Sequence, residues 1–327
     1  MNTTKTILSL VTASTLLISS QGFAQQAVNI ATSGSGSPFY QNAVGISRVV
    51  QAHTNINATV ESGAGSTPNI FSISNGEADL AVVNALAAIA GYDAQPPFAQ
   101  QVDLRIVAQG GLSLRQVFVR RNANINSPSD LAGKTWINAM PANPDIVQIS
   151  NALMEAAGLS ANTMRLASMT TSGEAIDGFS ARTIDAVTMP ASAGAPNVAR
   201  LFESETIDFL PISPEIADRM RGLLPRGLNI GILPAGSYTN QANDAVVFEL
   251  RTLLVAHANT PDDVIYDIAK AIFENREELS TYHASARGWT VANTINNPDL
   301  PLHPGTVRYL QDIGAWNAEI ESHQQSF

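Results

Sequence analysis

Residues 28–45 read VNIATSGSGSPFYQNAVG, and this stretch decides the fold. The apolar run Val28–Thr32 predicts a strand. Ser33–Ser37 is a loop of serine and glycine alone. A helix is expected over Pro38–His53, with Ser37 as its N-cap and Pro38 at its first position. Ala43, Ile46, Val49 and Val50 form its apolar stripe. A strand that hands over to a helix through SGSGS gathers backbone N–H groups, hydroxyls and the positive end of a helix. That combination suits a carboxylate or a phosphate. The same glycines also suit a tight turn.

The design recurs outward from this stretch. Asn57–Glu61 predicts a second strand, SGAGS a second Gly/Ser loop, Thr67–Asn75 a short helix and DLAVV (79–83) a third strand. The order returns with TWINA (135–139), the loop MPANPD, a helix over Ile146–Ala157 and the strands MRLA (164–167) and TIDAVTM (183–189). Alternating strands and helices imply mostly parallel sheets. Two such series imply two lobes, each a mostly parallel sheet flanked by helices. In open α/β sheets, ligands sit beyond the carboxyl ends of the strands, so the expected site is the cleft between the lobes. The expected division is a leader over 1–24, one lobe from 25–114 and 230–327, and a second from 115–229. RQVFVRR (115–121) and LNIGILPAG (228–236) are the expected chain crossings. Helices are expected over Asn243–His257, Pro261–Leu279 and from Pro304 onward.

The first 24 residues differ from the rest. Lys5, an apolar run over Ile7–Ser19 and QGFA before a cut after Ala24 read as a secretory signal peptide. The mature chain is therefore expected to be secreted, with no membrane-inserted segment. The chain has no cysteine, which excludes a disulfide framework and a thiolate metal site. Its net charge is −10, and loss of the leader takes Lys5 with it. Such acidity argues against nucleic acid as a partner.

Enzyme signatures are missing from the sequence. The Gly/Ser loop carries no P-loop lysine. Gly34 and Gly36 begin a dinucleotide fingerprint, but Phe39 holds the third glycine's place. There is no G-x-S-x-G nucleophile elbow. His53, His257, His283, His303 and His323 are scattered without metal-ligand spacing. No cofactor, metal or catalytic residue is expected, and His303 is read as orienting a turn.

With those motifs in view, the chain resembles the TAXI family of periplasmic solute receptors of TRAP transporters. ATSGSGSPFYQNAVG (31–45) keeps Thr32, Gly36, Tyr40 and Gly45 of the family's opening loop. ESGAGSTPN (61–69) keeps Gly65, Ser66 and Asn69 of its second loop. GEADLAVV, DLAGKTW, IDAVTMPASAGAPN, PAGSY (234–238) and LPLHPGTVRYLQDIGAW (300–316) follow in the family's order along the mature chain. The resemblance implies a two-lobed receptor of the periplasmic-binding-protein type (type II-like), located in the periplasm and without catalysis. It would close on a small carboxylate-bearing solute, an organic acid or amino acid, and deliver it to TRAP membrane subunits. A monomer is expected. The alternatives are a binding protein of the same fold that feeds a sensor or another transporter, and a secreted hydrolase.

Carried over by position, the first-lobe ligand candidates are Ser33, Ser35, Ser37, Tyr40, Gly65 and Ser66. Tyr40 either faces the solute or packs its helix. Asn84, after DLAVV, either faces the cleft or caps a strand end. The second-lobe loop departs from the family. AMPANPD (139–145) lacks the expected glycines, and Asn143 and Asp145 stand where Ser and Thr are usual. Asp145 with Gln148 reads as a capping box. A carboxylate there would oppose a ligand carboxylate. The expected solute then has one acidic end on the first lobe and a neutral, amine-bearing or metal-bridged end near Asp145, unless Asp145 only caps its helix. Met189, with Met140, suggests an apolar wall.

Overall fold

The computed structural model describes residues 26–327; the leader expected over 1–24 lies outside them. The chain opens with β1 (Gln26–Thr32), α1 (Pro38–His53), β2 (Ile56–Ser62), α2 (Ser66–Ser74), β3 (Leu80–Asn84) and α3 (Ala85–Tyr92). Strands β1–β3 pair in parallel. Each hands over to its helix at the carboxyl end. Along α1 the expected stripe is buried: Ala43, Ile46, Val49 and Val50 have no exposed surface. Burial of each branched side chain contributes roughly 1.5–3 kcal/mol relative to exposure.

The 17-residue strand β4 (Leu104–Arg120) then leaves this unit. A second series follows: β5 (Thr135–Ala139), α4 (Asp145–Ala156), β6 (Arg165–Ser168), α5 (Ser172–Ser180), β7 (Ala186–Pro190) and α6 (Pro196–Glu203). Here β5 pairs in parallel with β6 and β7. After β8 (Ile207–Phe209), α7 (Pro214–Arg221) and β9 (Leu228–Leu233) comes β10 (Ala245–His257). The remaining helices are α8 (Asp262–Glu274), α9 (Arg276–Tyr282), α10 (Val291–Ile295), α11 (Pro304–Asp312) and α12 (Ala318–Gln324).

One sheet runs through both lobes, in the order β2-β1-β3-β10-β4-β7-β5-β6. Each lobe is parallel at its outer end, and the antiparallel pair β4–β10 joins them. Alternate residues of the central strands face opposite cores. Leu80, Val82, Leu254 and Ala256 pack on one side of the first lobe, Ala81, Val83, Leu253 and Val255 on the other. Trp136 and Phe118 belong to the two corresponding cores of the second lobe.

Three expectations are corrected here. Asn243–His257 is not helical: Ala245–His257 is strand β10, at the centre of the sheet. A strand buried on both faces loses its alternation and resembles a buried helix in sequence. The second correction concerns LNIGILPAG, expected to cross between the lobes. Its first six residues form β9, which pairs with the first half of β10. Leu228, Ile230 and Leu233 pack with Val117 and Phe118 in the second-lobe cores. Beyond LNIGILPAG, β10 pairs with β9 as far as Leu250 and with β3 from Thr252. The single helix expected over Pro261–Leu279 is two, α8 and α9, which meet at Asn275.

Candidate functional site

Loops at the carboxyl ends of the parallel strands converge on one cleft of about 800 Å³. From the first lobe come Ser33–Ser37, Ala64–Ser66 and Asn84; from the second come Ala142, Asn143, Thr171, Ser172 and the segment Met189–Ser192. The crossing strands add Gly111–Arg115 and Thr252. The site therefore sits where strand ends and helix starts of both lobes face each other.

The first-lobe wall is a set of neutral donors held by helix starts. Ser37 caps α1, its Oγ accepting the Tyr40 N–H at 3.1 Å. Gly65 precedes α2 at φ +121, a region closed to residues with a Cβ, and no side chain caps that helix. The N–H groups of Ser66 and Thr67 thus face the loop without a side-chain cap. Ser66 Oγ accepts the Asn84 N–H at 3.0 Å. Asn84 Oδ1 accepts the Ala87 N–H at 2.9 Å, which leaves the amide nitrogen as a donor. Behind this wall, Trp289 Nε1 donates to Asn42 Oδ1 at 2.9 Å, and Asn42 Nδ2 donates to Ser285 Oγ at 2.8 Å. This network ties the first half of α1 to the lining residues Ser285 and Trp289. Ser285 Oγ also lies 2.8 Å from His283 Nδ1. That nitrogen accepts the Ser285 backbone N–H at 3.1 Å as well, the hydrogen bond of a capped turn.

The second-lobe wall carries the charge. Among the described residues, Arg115 is the one charged side chain that lines the cleft. It is 2% exposed, and Asp145 beneath it is 1% exposed. Arg115 Nε donates to Asp145 Oδ2 at 2.5 Å, and Nη2 to Asp145 Oδ1 at 3.4 Å. Nη1 donates to Ser113 Oγ at 2.9 Å and to the Leu114 carbonyl at 3.3 Å, and Nη2 also reaches Asn143 Oδ1 at 3.4 Å. All five guanidinium hydrogens are thus engaged. Tyr238, from PAGSY, is buried and donates its hydroxyl to the Ser192 carbonyl at 2.8 Å, fixing the segment after β7. Burial pushes its phenol up, which keeps the hydroxyl a donor.

Of the expected residues, Ser33, Ser35, Ser37, Gly65, Ser66, Asn84, Asn143 and Met189 line this cleft. Met189 is itself fully buried and forms floor, while Met140 belongs to the core behind it. Tyr40 and Asp145 are not among the lining residues. Tyr40 sits in the first turn of α1, one step past the lining residue Phe39. Asp145 makes no capping box: Pro144 is the N-cap of α4 without a side-chain bond, and the Asp145 carboxylate turns inward to Arg115. Arg115, Ser113 and Tyr238 went unnoticed in the sequence. The available signal was a lone arginine entering the apolar run QVFV in a strand expected to cross between lobes. His303 caps α11, its Nδ1 accepting the Gly305 N–H at 3.2 Å.

Residues 30–314, most of the chain, match the NMT1-like family. The chain belongs to the NMT1-like family. Its architecture is α/β, two lobes of mostly parallel sheet flanked by helices around a cleft. Solved structures similar to this NMT1-like chain include a protein from Bordetella bronchiseptica RB50, at 16% identity over 90% of each chain and a TM-score of 0.48. The periplasmic aliphatic sulphonate binding protein of Escherichia coli shares 13% identity over 93% of this chain and 90% of its own, with a TM-score of 0.45. A TctC solute binding protein from Polaromonas shares 12% over 81% and 87%, with a TM-score of 0.48. Likenesses this distant carry no argument about what the NMT1-like chain binds. Among the described residues, no helix is long and apolar enough to cross a membrane.

Proposed function

We propose that this protein is an extracytoplasmic solute receptor. It captures a small carboxylate-bearing solute, an organic acid or an amino acid, in the cleft between its lobes, and it delivers that solute to TRAP membrane subunits. One observation carries the reading: strand-end loops of both lobes line a single cleft whose first-lobe wall is hydroxyl, amide and backbone N–H donors at helix starts. Such a wall holds an anion without a dedicated cation. The motifs from ATSGSGSPFYQNAVG to HPGTVRYLQDIGAW support TRAP delivery. We read the site as one that binds and does not transform, in a monomer secreted through the leader at 1–24. The lobe division that the packing supports runs through residues near 112 in β4 and 251 in β10, close to the expected 114 and some twenty residues beyond the expected 230.

Thermal shifts of residues 25–327 test the reading. The panel holds glutamate, 2-oxoglutarate, C4 diacids, monocarboxylates, aromatic acids, neutral and basic amino acids and phosphate. A ligand at 100 times its dissociation constant adds about 2.7 kcal/mol. A carboxylate that raises the melting temperature is the expected result. Silence from every acid overturns the receptor reading. Delivery is read separately, as uptake into vesicles that contain TRAP membrane subunits and depend on the loaded receptor.

A further inference from the structure

We propose that Asp145, buried beneath the cleft, sets the charge of the solute. By cancelling Arg115 it leaves the second-lobe wall neutral, so that the cleft takes a singly charged acid with an uncharged remainder. This inference rests on the receptor reading and narrows it.

The argument starts from the pair itself. Arg115 and Asp145 are both almost fully buried and bonded edge to edge through Nε and Nη2. A buried guanidinium with a carboxylate at 2.5 Å has little net field beyond it. Its remaining hydrogens end on Ser113 Oγ, the Leu114 carbonyl and Asn143 Oδ1. Ser113 and Asn143 line the cleft beside Arg115, so the solute meets a guanidinium whose hydrogens are already taken. The same wall carries Leu112, Leu114, Met189 and Val198, which suit an apolar body.

Three classes of acid then separate. A monoanion places its charge on the donors of Ser33–Ser37, Ser66 and Asn84 and its body on the second lobe. A diacid brings a second charge to the second-lobe wall, where the one cation that lines the cleft among the described residues is already neutralised. An amino acid needs a partner for its ammonium, and the carboxylate that could serve is turned away beneath Arg115. Asp145 thus acts on the solute through Arg115, as a positioning residue whose effect is electrostatic.

The test compares acids of matched skeleton on residues 25–327 by calorimetric titration: 4-methylpentanoate, leucine, glutarate and 4-methylpentanamide, with 3-phenylpropanoate and phenylalanine as an aromatic pair. The monoanions are expected to bind at least about tenfold tighter than their zwitterionic or diacid counterparts. In Asp145→Asn, checked by its melting curve for folding, Arg115 is uncompensated. The affinity for glutarate relative to 4-methylpentanoate is then expected to rise about tenfold. The double variant Arg115→Gln/Asp145→Asn restores neutrality, and its ratio is expected to return toward the starting value. A folded Asp145→Asn with an unchanged ratio overturns the inference. So does a diacid or an amino acid as the tightest binder of the natural chain, a result that needs no variant to fold and leaves the receptor reading standing. Failure of every acid to bind removes the receptor reading, and the inference with it.

Discussion

At the scale of single residues, the Arg115–Asp145 pair is the most exposed to test. The two side chains sit at 3% and 1% accessibility. Removing one partner leaves a buried charge alone, which costs about 3–5 kcal/mol, while removing both costs far less. Urea denaturation of Arg115→Gln is therefore expected to show a loss of that order, and Arg115→Gln/Asp145→Asn is expected to recover a large part of it. Additive losses in the double variant would show that the pair is not energetically coupled. The pair also marks the limit of what sequence could say here. The polar loop residues were legible because each follows a strand and precedes a helix, and local order alone puts them at the strand ends. Asp145 follows the same rule, yet its carboxylate points the other way. Its partner lies thirty positions earlier, on a strand whose neighbours are set by antiparallel pairing across the sheet. No local pattern encodes that contact.

At the scale of elements, the first lobe was readable and the crossing was not. Helix α1 announced itself through Ser37, Pro38 and a 3.6-residue stripe. Strand β10 did not, since AVVFELRTLLVAH is apolar on both faces at its far end and carries Glu249 and Arg251 in its middle. Helix α11 supplies a prediction at this scale. His303 caps it with Nδ1, is wholly buried, and leaves Nε2 without a partner. Burial holds its imidazole below the ordinary 6.5, against the opposing pull of the Asp262 carboxylate; Arg105 acts in the same direction as burial. The folded chain thus binds the proton less readily than the unfolded chain does. The stability that neutral His303 gives is present above pH 6.5 and is lost as the pH falls through the lowered folded value. His303→Asn keeps a cap-forming side chain and removes the titration. Its melting temperature is expected to fall less between pH 7.5 and about 5.5 than that of the natural chain. Parallel curves would mean that other groups carry the acid sensitivity, with the raised Asp299 and Glu249 carboxylates acting in the opposite sense.

At the scale of the whole molecule, two strands carry the lobes, and their ladder is irregular where they cross. The β4–β10 register shifts between Arg251 and Leu253 and again between Leu254 and Val255. On the facing strand Gly110 and Gly111 lie against Trp289 and Gly288. Shifted pairing bends a strand locally, and a few residues at element junctions are enough to absorb a hinge rotation. The lips of the cleft already approach each other: a Cβ on Gly65 would stand 3.8 Å from the Ala142 carbonyl oxygen. A solute that touches both walls binds the closed arrangement better than the open one, and that difference alone shifts the population. The chain has no cysteine, so a pair introduced at Ala64 and Ala142, exposed positions on opposite lips, reports closure without background. With Ala64→Cys/Ala142→Cys, the rate of cross-linking by a short bifunctional reagent is expected to rise about tenfold when a solute that raises the melting temperature is added. A rate that stays flat while the same solute stabilises the protein would place the capture in an arrangement that is already closed. The register shifts would then be a feature of strand curvature and not of a hinge.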